Sequence, residues 1–313
     1  MRSFVVGGAG FIGSHLVDRL ALRGPVTVFD DLSVGKLAFL GKNLDEGRVR
    51  FVRGDARVPA ELDAAIAAHD VVFHLAANPE ARRGLVDTRL DLEVGTIATH
   101  NVLDAARRHK AQRFVLASSG TVYGETSLSC SEGDLGALPI SLYGASKLAG
   151  EALVSAFAEC FALPGLIFRF GNVVGPRGTH GVALDFFAKL RAHPDHLDVL
   201  GDGSQSKPYL HVSDCADAIL FALDRCDPKL DVFNIAPRGA TTVKQIAEAC
   251  VAASPWPDAT IRYGAGDRGW PGDVPRSRMS SAKLEALGFS LRHSSDEAME
   301  RSVAELAREV FAP

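Results

Sequence analysis

The stretch FVVGGAGFIGSHL, residues 4–16, decides how the chain begins to fold. Phe4 to Val6 form a short apolar run that reads as a strand. It meets glycines at once, and a helix-like pattern follows. Gly7, Gly10 and Gly13 recur at every third position. Glycines let a backbone turn sharply and approach a pyrophosphate closely, and a helix N-terminus offers free N–H groups and the positive end of its dipole. A glycine triplet alone is weak, because tight turns use glycine anyway. Its place directly after the first strand is the context that a dinucleotide site requires. Phe11 and Ile12, between the last two glycines, complete the candidate turn.

The same alternation continues outward. Apolar runs at 26–29, 50–52, 71–75, 113–117 and 166–169 read as further strands, and 12–23, 58–68, 92–109 and 142–161 read as helices. Strands alternating with helices predict an α/β fold with a doubly wound parallel sheet. Nearly all-apolar strands suit a sheet covered on both faces. After about residue 171 the rhythm breaks into loop-rich sequence, with helical patterns at 212–225 and 242–253 and a Gly-, Pro- and Arg-rich segment from 255 to 278. The expected domains are 1–170 for the sheet and 171–313 for a smaller lobe interleaved with it.

Composition narrows the class. The 313 residues are 47% hydrophobic and 23% charged with a net charge of −4, ordinary for a soluble globular chain. No basic patch calls for nucleic acid, and no apolar segment approaches a membrane span. The N-terminus lacks the h-region of a signal peptide. Five scattered cysteines, without CxxC or zinc spacing, suit a reducing compartment, and no metal site is expected. These features together predict a cytoplasmic protein.

Candidate cofactor residues follow the strand ends. Asp30, in VTVFDDLS, lies 17 residues past Gly13, where a carboxylate can accept hydrogen bonds from both adenosine ribose hydroxyls. An acid there repels a 2′-phosphate, which favours NAD over NADP. Asp31 is a second ribose candidate or a solvated loop acid. Asp55 and Ala56, in VRGDAR, follow the third strand, and the Asp55 carboxylate can accept from an adenine amino group. Leu75, Ala76 and Ala77 end the fourth strand with small side chains that let a cofactor pass. His74 reads as a satisfied core histidine.

The chemistry gathers after the fifth strand. Ser118, Ser119 and Thr121 lie at a strand C-terminus, the sheet edge where ligands bind. Tyr143 and Lys147, in YGASK, are four apart on a helix and share a face. A free tyrosine, with a pKa of about 10, is a poor base at neutral pH. A nearby ammonium and a positive nicotinamide both favour the phenolate, and a shift of about three pH units corresponds to roughly 4 kcal/mol. Lys147 can also hold the nicotinamide ribose, and Ser119 can donate to or accept from a substrate oxygen.

Taken together, GGAGFIG, FDDLS, GDAR, HLAA, SSGTVYGE and YGASK resemble the extended short-chain dehydrogenase/reductase family, in the branch of nucleotide-sugar epimerases and dehydratases. The resemblance continues through RFGNVVGPRG, LGDGSQSKPYLHVSD and GWPGDV, over nearly the full chain. It implies a Rossmann-type domain with tightly bound NAD, Tyr143 as base, Lys147 as its electrostatic partner and Ser119 as hydroxyl helper. Asn172 matches an Asn near the substrate diphosphate. Lys207 stands where the family often has Arg, which removes bidentate geometry. Arg177 and Arg268 are anion binders or surface arginines. Ser277, between Arg276 and Arg278, falls near a position that gates the sugar C2 substituent.

Related dehydratases carry an Asp-Glu pair where this chain has Gly120-Thr121, and related decarboxylases a Glu at Thr121. Elimination then lacks its acid and base. The SSGTVYG form resembles the UDP-galactose 4-epimerase group. The implied reaction takes the C4 proton onto Tyr143 and the C4 hydride onto NAD, turns the 4-keto sugar, and returns both. UDP-glucose and UDP-galactose lead as substrates, ahead of UDP-N-acetylhexosamine and UDP-uronic acids. The alternatives are a dehydratase or decarboxylase, or a non-catalytic dinucleotide sensor. The family also implies a homodimer through 92–109 and 142–161, unless those faces pack only on the sheet.

Overall fold

The computed structural model describes residues 1–126, 129–134, 137–226 and 229–311. A seven-stranded sheet runs in the order Leu230–Ile235, Gly165–Phe170, Arg113–Ser119, Val71–His74, Ser3–Val6, Val26–Asp30 and Val49–Arg53. Ser3–Val6 pairs in parallel with both Val26–Asp30 and Val71–His74. Val71–His74 pairs in parallel with Arg113–Ser119. The strand order reverses beside Ser3–Val6, which creates a crevice at the C-terminal strand ends. The fold is Rossmann-like α/β, as the alternation of elements predicts.

Six of the seven strands lie within two residues of their expected positions. Burial explains their legibility: Ser3–Val6, Val26–Asp30 and Val71–His74 are buried along their whole length. On one face, Phe4, Val72 and Phe114 pack against Leu62 and Ile66 of the Pro59–Ile66 helix, Val102 and Leu103 of the Ala98–Arg108 helix, and Val154 and Phe157 of the Leu142–Phe161 helix. The Phe11–Leu20 helix packs on the first two strands through its own buried stripe, including Leu16, Val17 and Leu20.

The expected single helix over 92–109 is two elements, a π-helical turn at Leu92–Ile97 and an α-helix at Ala98–Arg108. Gly95 is the pivot. A Cβ added there would lie 2.4 Å from Ser146 Oγ, so the turn presses its backbone onto the YGASK helix. Isolated π turns of this kind occur frequently at functional sites.

The chain divides into two compact units. The first comprises Met1–Val122, Ser141–Arg169 and Ala216–Phe233, and the second Tyr123–Ile140, Phe170–Cys215 and Asn234–Pro313. The second unit has its own core, in which Phe186, Phe187 and Leu190 meet Ile246, Cys250, Met299 and Leu306. These residues come from helices Val182–Ala192, Val243–Ala253 and Ser295–Phe311. The first and last of these were not expected. The Tyr123 hydroxyl donates to Asn234 Oδ1 at 2.7 Å, and Asn234 Nδ2 donates to the Cys130 and Ser280 carbonyls. Asp214, 1% exposed, accepts from Arg292 and His293 and clamps the approach to the last helix. Among the described residues no helix is long and apolar enough to cross a membrane.

Candidate active site

Gly10 caps the Phe11–Leu20 helix without a side-chain hydrogen bond, and no acid occupies the first turn. The free N–H groups and positive dipole end fit a pyrophosphate. Gly13 is required by close approach: a Cβ there would lie 2.2 Å from Gly7 O and 2.8 Å from Gly8 Cα, both backbone atoms that cannot move aside. Gly13→Ala is expected to cost about 2 kcal/mol of stability and most of the dinucleotide affinity. Gly41→Ala, where nothing lies within 4 Å, is the control. Cofactor released on denaturation and a thermal melt check both; equal cofactor content in the two variants would contradict the assignment.

The acids beyond the turn differ in state. Asp30 is buried, and its carboxylate accepts from Ala9 N at 3.0 Å and Leu32 N at 2.9 Å, which ties the second strand to the glycine turn. Burial raises its pKa, opposed by those two hydrogen bonds. Asp31 accepts from Ser33 N at 2.8 Å. Asp55 grips the Arg57 guanidinium at 2.6–3.0 Å, and that hydrogen bonding holds its carboxyl below the usual range. Buried Ala56 follows it, and half-buried Leu75, Ala76 and Ala77 follow the fourth strand.

Tyr143 and Lys147 stand on the Leu142–Phe161 helix, whose first turn is capped by Ser141 Oγ accepting from Gly144 N. Lys147 Nζ lies 5.7 Å from the Tyr143 ring centroid and donates to Ala117 O at 2.7 Å. Ser119, at the end of the fifth strand, hydrogen-bonds Tyr143 and thereby favours the phenolate. Thr121 donates to Ser119 Oγ through its backbone N–H at 3.2 Å and its hydroxyl at 3.0 Å. The structure thus brings Ser119, Thr121, Tyr143 and Lys147 together in the first unit.

Their electrostatics differ from the expectation in one respect. Burial pushes Tyr143 up to about 12, and the charge of Asp91 adds to this against the Ser119 hydrogen bond. Lys147 does not reverse it. Its own pKa is brought down to about 8 by burial, offset in part by Asp91 and Glu151. In the protein alone burial therefore outweighs the neighbouring ammonium, and the phenolate needs further positive charge.

Several polar residues around this pair escaped the sequence reading. Glu151, one turn past Lys147, is 6% exposed. It accepts from Arg169 at 2.6–3.2 Å and from Ser118 Oγ at 2.5 Å. Asp91, 1% exposed, accepts from Asn78 Nδ2 at 3.0 Å. The spacing of Tyr143, Lys147 and Glu151 at i, i+4 and i+8 was the available signal for Glu151. His74 is the core residue expected. Burial brings its pKa down to about 3. Thr99 Oγ1 donates to Gly95 O, so His74 Nε2 donates to Thr99 Oγ1.

In the second unit, Asn172 hydrogen-bonds the buried Tyr209. Lys207 Nζ donates to Asp273 Oδ1 at 2.5 Å. Arg268 donates to both Glu125 oxygens at 2.7 and 2.9 Å and to Asp273 O at 2.9 Å. Lys207 and Arg268 are therefore paired with carboxylates, and the Arg177 backbone N–H donates to Glu309. Holding a diphosphate would require exchanging those partners.

Residues 3–236 match the model of the NAD dependent epimerase/dehydratase family. The chain is 31% identical over 314 residues to a putative UDP-glucose 4-epimerase of Methanocaldococcus jannaschii, covering 96% of each chain. It is 33% identical to a dTDP-glucose 4,6-dehydratase of Streptomyces niveus, over 71% of this chain and 69% of that one. A crystal structure of a UDP-galactose 4-epimerase superposes with a TM-score of 0.88 at 36% identity, covering 99% of both chains. Other relatives include a probable UDP-glucuronate 4-epimerase and a decarboxylase of a UDP-linked uronic acid.

Proposed function

The chain belongs to the NAD-dependent epimerase/dehydratase family, and from that premise we propose that it is a nucleotide-sugar 4-epimerase acting on UDP-hexoses, UDP-glucose and UDP-galactose foremost. The observation that carries this reading is the turn after the fifth strand. It presents the Ser119 and Thr121 hydroxyls, and Gly120 and Thr121 place no carboxylate beside Tyr143. The acids nearest Lys147 do not replace one: Glu151 is committed to Arg169 and Ser118, and Asp91 is 1% exposed. Elimination of water needs an acid at the leaving hydroxyl and a base at the neighbouring carbon, and Gly120 and Thr121 supply neither.

Bound NAD would supply the hydride acceptor at C4 and then the donor. The glycine turn with Phe11, Ile12 and Asp30 would hold it, with Lys147 at the nicotinamide ribose. Tyr143 accepts the C4 hydroxyl proton and later returns it. Ser119 donates to the oxygen that carries negative charge. Lys147, whose Nζ lies 5.7 Å from the Tyr143 ring centroid, would add its positive charge in favour of the phenolate. Asn172, Lys207 and Arg268 are the second unit's diphosphate-binding candidates. A homodimer through the helices that carry Leu92, Ile97, Leu142 and Phe161 is consistent with those side chains being 41–52% exposed.

Incubation with a panel of UDP-, GDP- and dTDP-sugars tests the reaction. A C4 epimer of unchanged mass, seen by NMR from either UDP-glucose or UDP-galactose, is the expected product. Loss of water or carbon dioxide from any sugar in the panel would replace the epimerase reading with a dehydratase or decarboxylase. Stoichiometric NAD released from the purified protein should accompany epimerisation, since the cofactor returns to its starting state each cycle.

A further inference from the structure

We propose that Thr121 is a positioning residue that locks Ser119 as a hydrogen-bond donor, so that the substrate proton passes directly to Tyr143 rather than through the serine. This rests on the reading of Tyr143 as the base. A serine hydroxyl has one proton and two lone pairs. Thr121 addresses both lone pairs of Ser119 Oγ, through its N–H at 3.2 Å and its own hydroxyl proton at 3.0 Å. What remains is the single Ser119 proton, and the Tyr143 oxygen is its partner in the protein alone. A relay serine must accept one proton while it gives up another. Ser119 has no lone pair left for the first half of that exchange.

The lock comes from local structure. Strand Arg113–Ser119 runs straight into the 3₁₀ turn Gly120–Tyr123, which folds Thr121 back over the preceding serine. The backbone half of the lock would survive any substitution that keeps the turn. The side-chain half requires a hydroxyl on residue 121. The other charged groups around Tyr143 lie elsewhere: Asp91, at the N-cap of the π turn, which opposes ionisation, and Lys147 on the same helix, itself flanked by Asp91, Glu151 and His74. Substitution at 121 leaves all of them in place.

The lock also assigns the energetic role of the serine. A donor-only hydroxyl stabilises whichever oxygen bears charge: the Tyr143 phenolate before proton transfer, and the C4 oxygen as it becomes a carbonyl and reverts. Thr121 thereby assists both half-reactions through Ser119.

The test compares NAD-loaded wild-type enzyme with Thr121→Val and Thr121→Ser. Tyr143 ionisation is followed by phenolate absorbance, with the matching Tyr143→Phe protein as blank. Valine keeps the β-branched shape and the backbone donor, so the expected change is an upward shift of the midpoint by roughly half to one pH unit. Serine should restore the wild-type midpoint. With whichever sugar the wild type converts, kcat of Thr121→Val should fall roughly fivefold while KM stays within about twofold. A valine variant that titrates with the wild type, or a serine variant that shifts as far as valine, overturns the assignment. The titration needs no turnover. An enzyme that shows these shifts yet converts no UDP-hexose refutes the substrate reading and leaves the lock standing.

Discussion

Tyr143→Phe is expected to lower kcat by about a thousandfold while the protein keeps its fold and its bound NAD, within the range that positioned acid–base groups contribute. The substitution removes one oxygen from a half-buried ring and one hydrogen bond, to Ser119. Stability should change by no more than about 1 kcal/mol, the usual net contribution of such a bond. On the proposed mechanism the oxygen is the proton acceptor, and the kinetic loss is correspondingly large. Burial pushes Tyr143 up to about 12 in the protein alone, so almost none is phenolate near neutral pH. Bringing it to about 8 takes roughly 5 kcal/mol of stabilisation. With Lys147 at the nicotinamide ribose, as proposed, oxidised nicotinamide would add positive charge near Tyr143, in a site of low dielectric where such a charge counts heavily. The pH profile of the wild type follows with its sign. Turnover rises with pH as Tyr143 loses its proton and falls as Lys147, with a pKa of about 8, loses its charge. Tyr143→Phe should abolish the rising limb. Steady-state kinetics across pH check both, and a variant that kept a tenth of wild-type kcat would remove Tyr143 from its role.

What the sequence reveals depends on whether a feature is periodic or assembled. Of the six strands that could be read, Ser3–Val6, Val26–Asp30, Val71–His74 and Gly165–Phe170 are buried along their whole length, Arg113–Ser119 all but its ends, and the edge strand Val49–Arg53 shows only a short Phe51-Val52 core between arginines. The seventh, Leu230–Ile235, carries Asp231 and Asn234 and lies at the sheet edge, so it shows no continuous apolar run. The last helix did carry a signal: Ser294 and Glu297 cap each other reciprocally, the S-x-x-E pattern of a helix start. The π turn at Leu92–Ile97 left none, and the close approach of Gly95 to Ser146 there joins residues distant in sequence. The site divides in the same way. Tyr143, Lys147, Ser119 and the glycine turn are legible as motifs of fixed spacing. The lock on Ser119 depends on turn geometry. The partners of Lys207 and Arg268 are carboxylates distant in sequence, Asp273 and Glu125, and the fold alone brings them together.

Glu151→Ala is expected to destabilise the protein by about 3–5 kcal/mol, the cost of removing one partner from a buried ion pair. Arg169 is 3% exposed and Glu151 6% exposed, and the guanidinium meets the carboxylate through Nε and Nη2. Alanine strips a buried cation of its counter-charge and Ser118 of its acceptor. A chain of this size should lose roughly 6–15 °C in Tm. The double substitution Glu151→Leu with Arg169→Met should be much milder, because it removes both charges and fills the space. That contrast separates uncompensated charge from lost packing. The pair also reaches the chemistry. Glu151 lies one helical turn beyond Lys147 and raises the lysine's pKa, opposing the effect of burial. Where Glu151→Ala remains folded, the falling limb of the pH profile should therefore move below about 8, since Lys147 gives up its proton more readily. The conservative Glu151→Gln should move the limb in the same direction and melt higher than Glu151→Ala, because the amide keeps an acceptor for Arg169 and Ser118. Thermal melts combined with pH–rate profiles of the three variants measure both effects, and Glu151→Ala melting within about 2 °C of wild type would contradict the buried-charge argument. Ser118 and Ser119 are adjacent at the strand end, so the carboxylate that pairs Arg169 also anchors the strand terminus from which Ser119 faces Tyr143. Stability and proton transfer are coupled through that one side chain, and substitutions at 151 should lower Tm and shift the alkaline limb together.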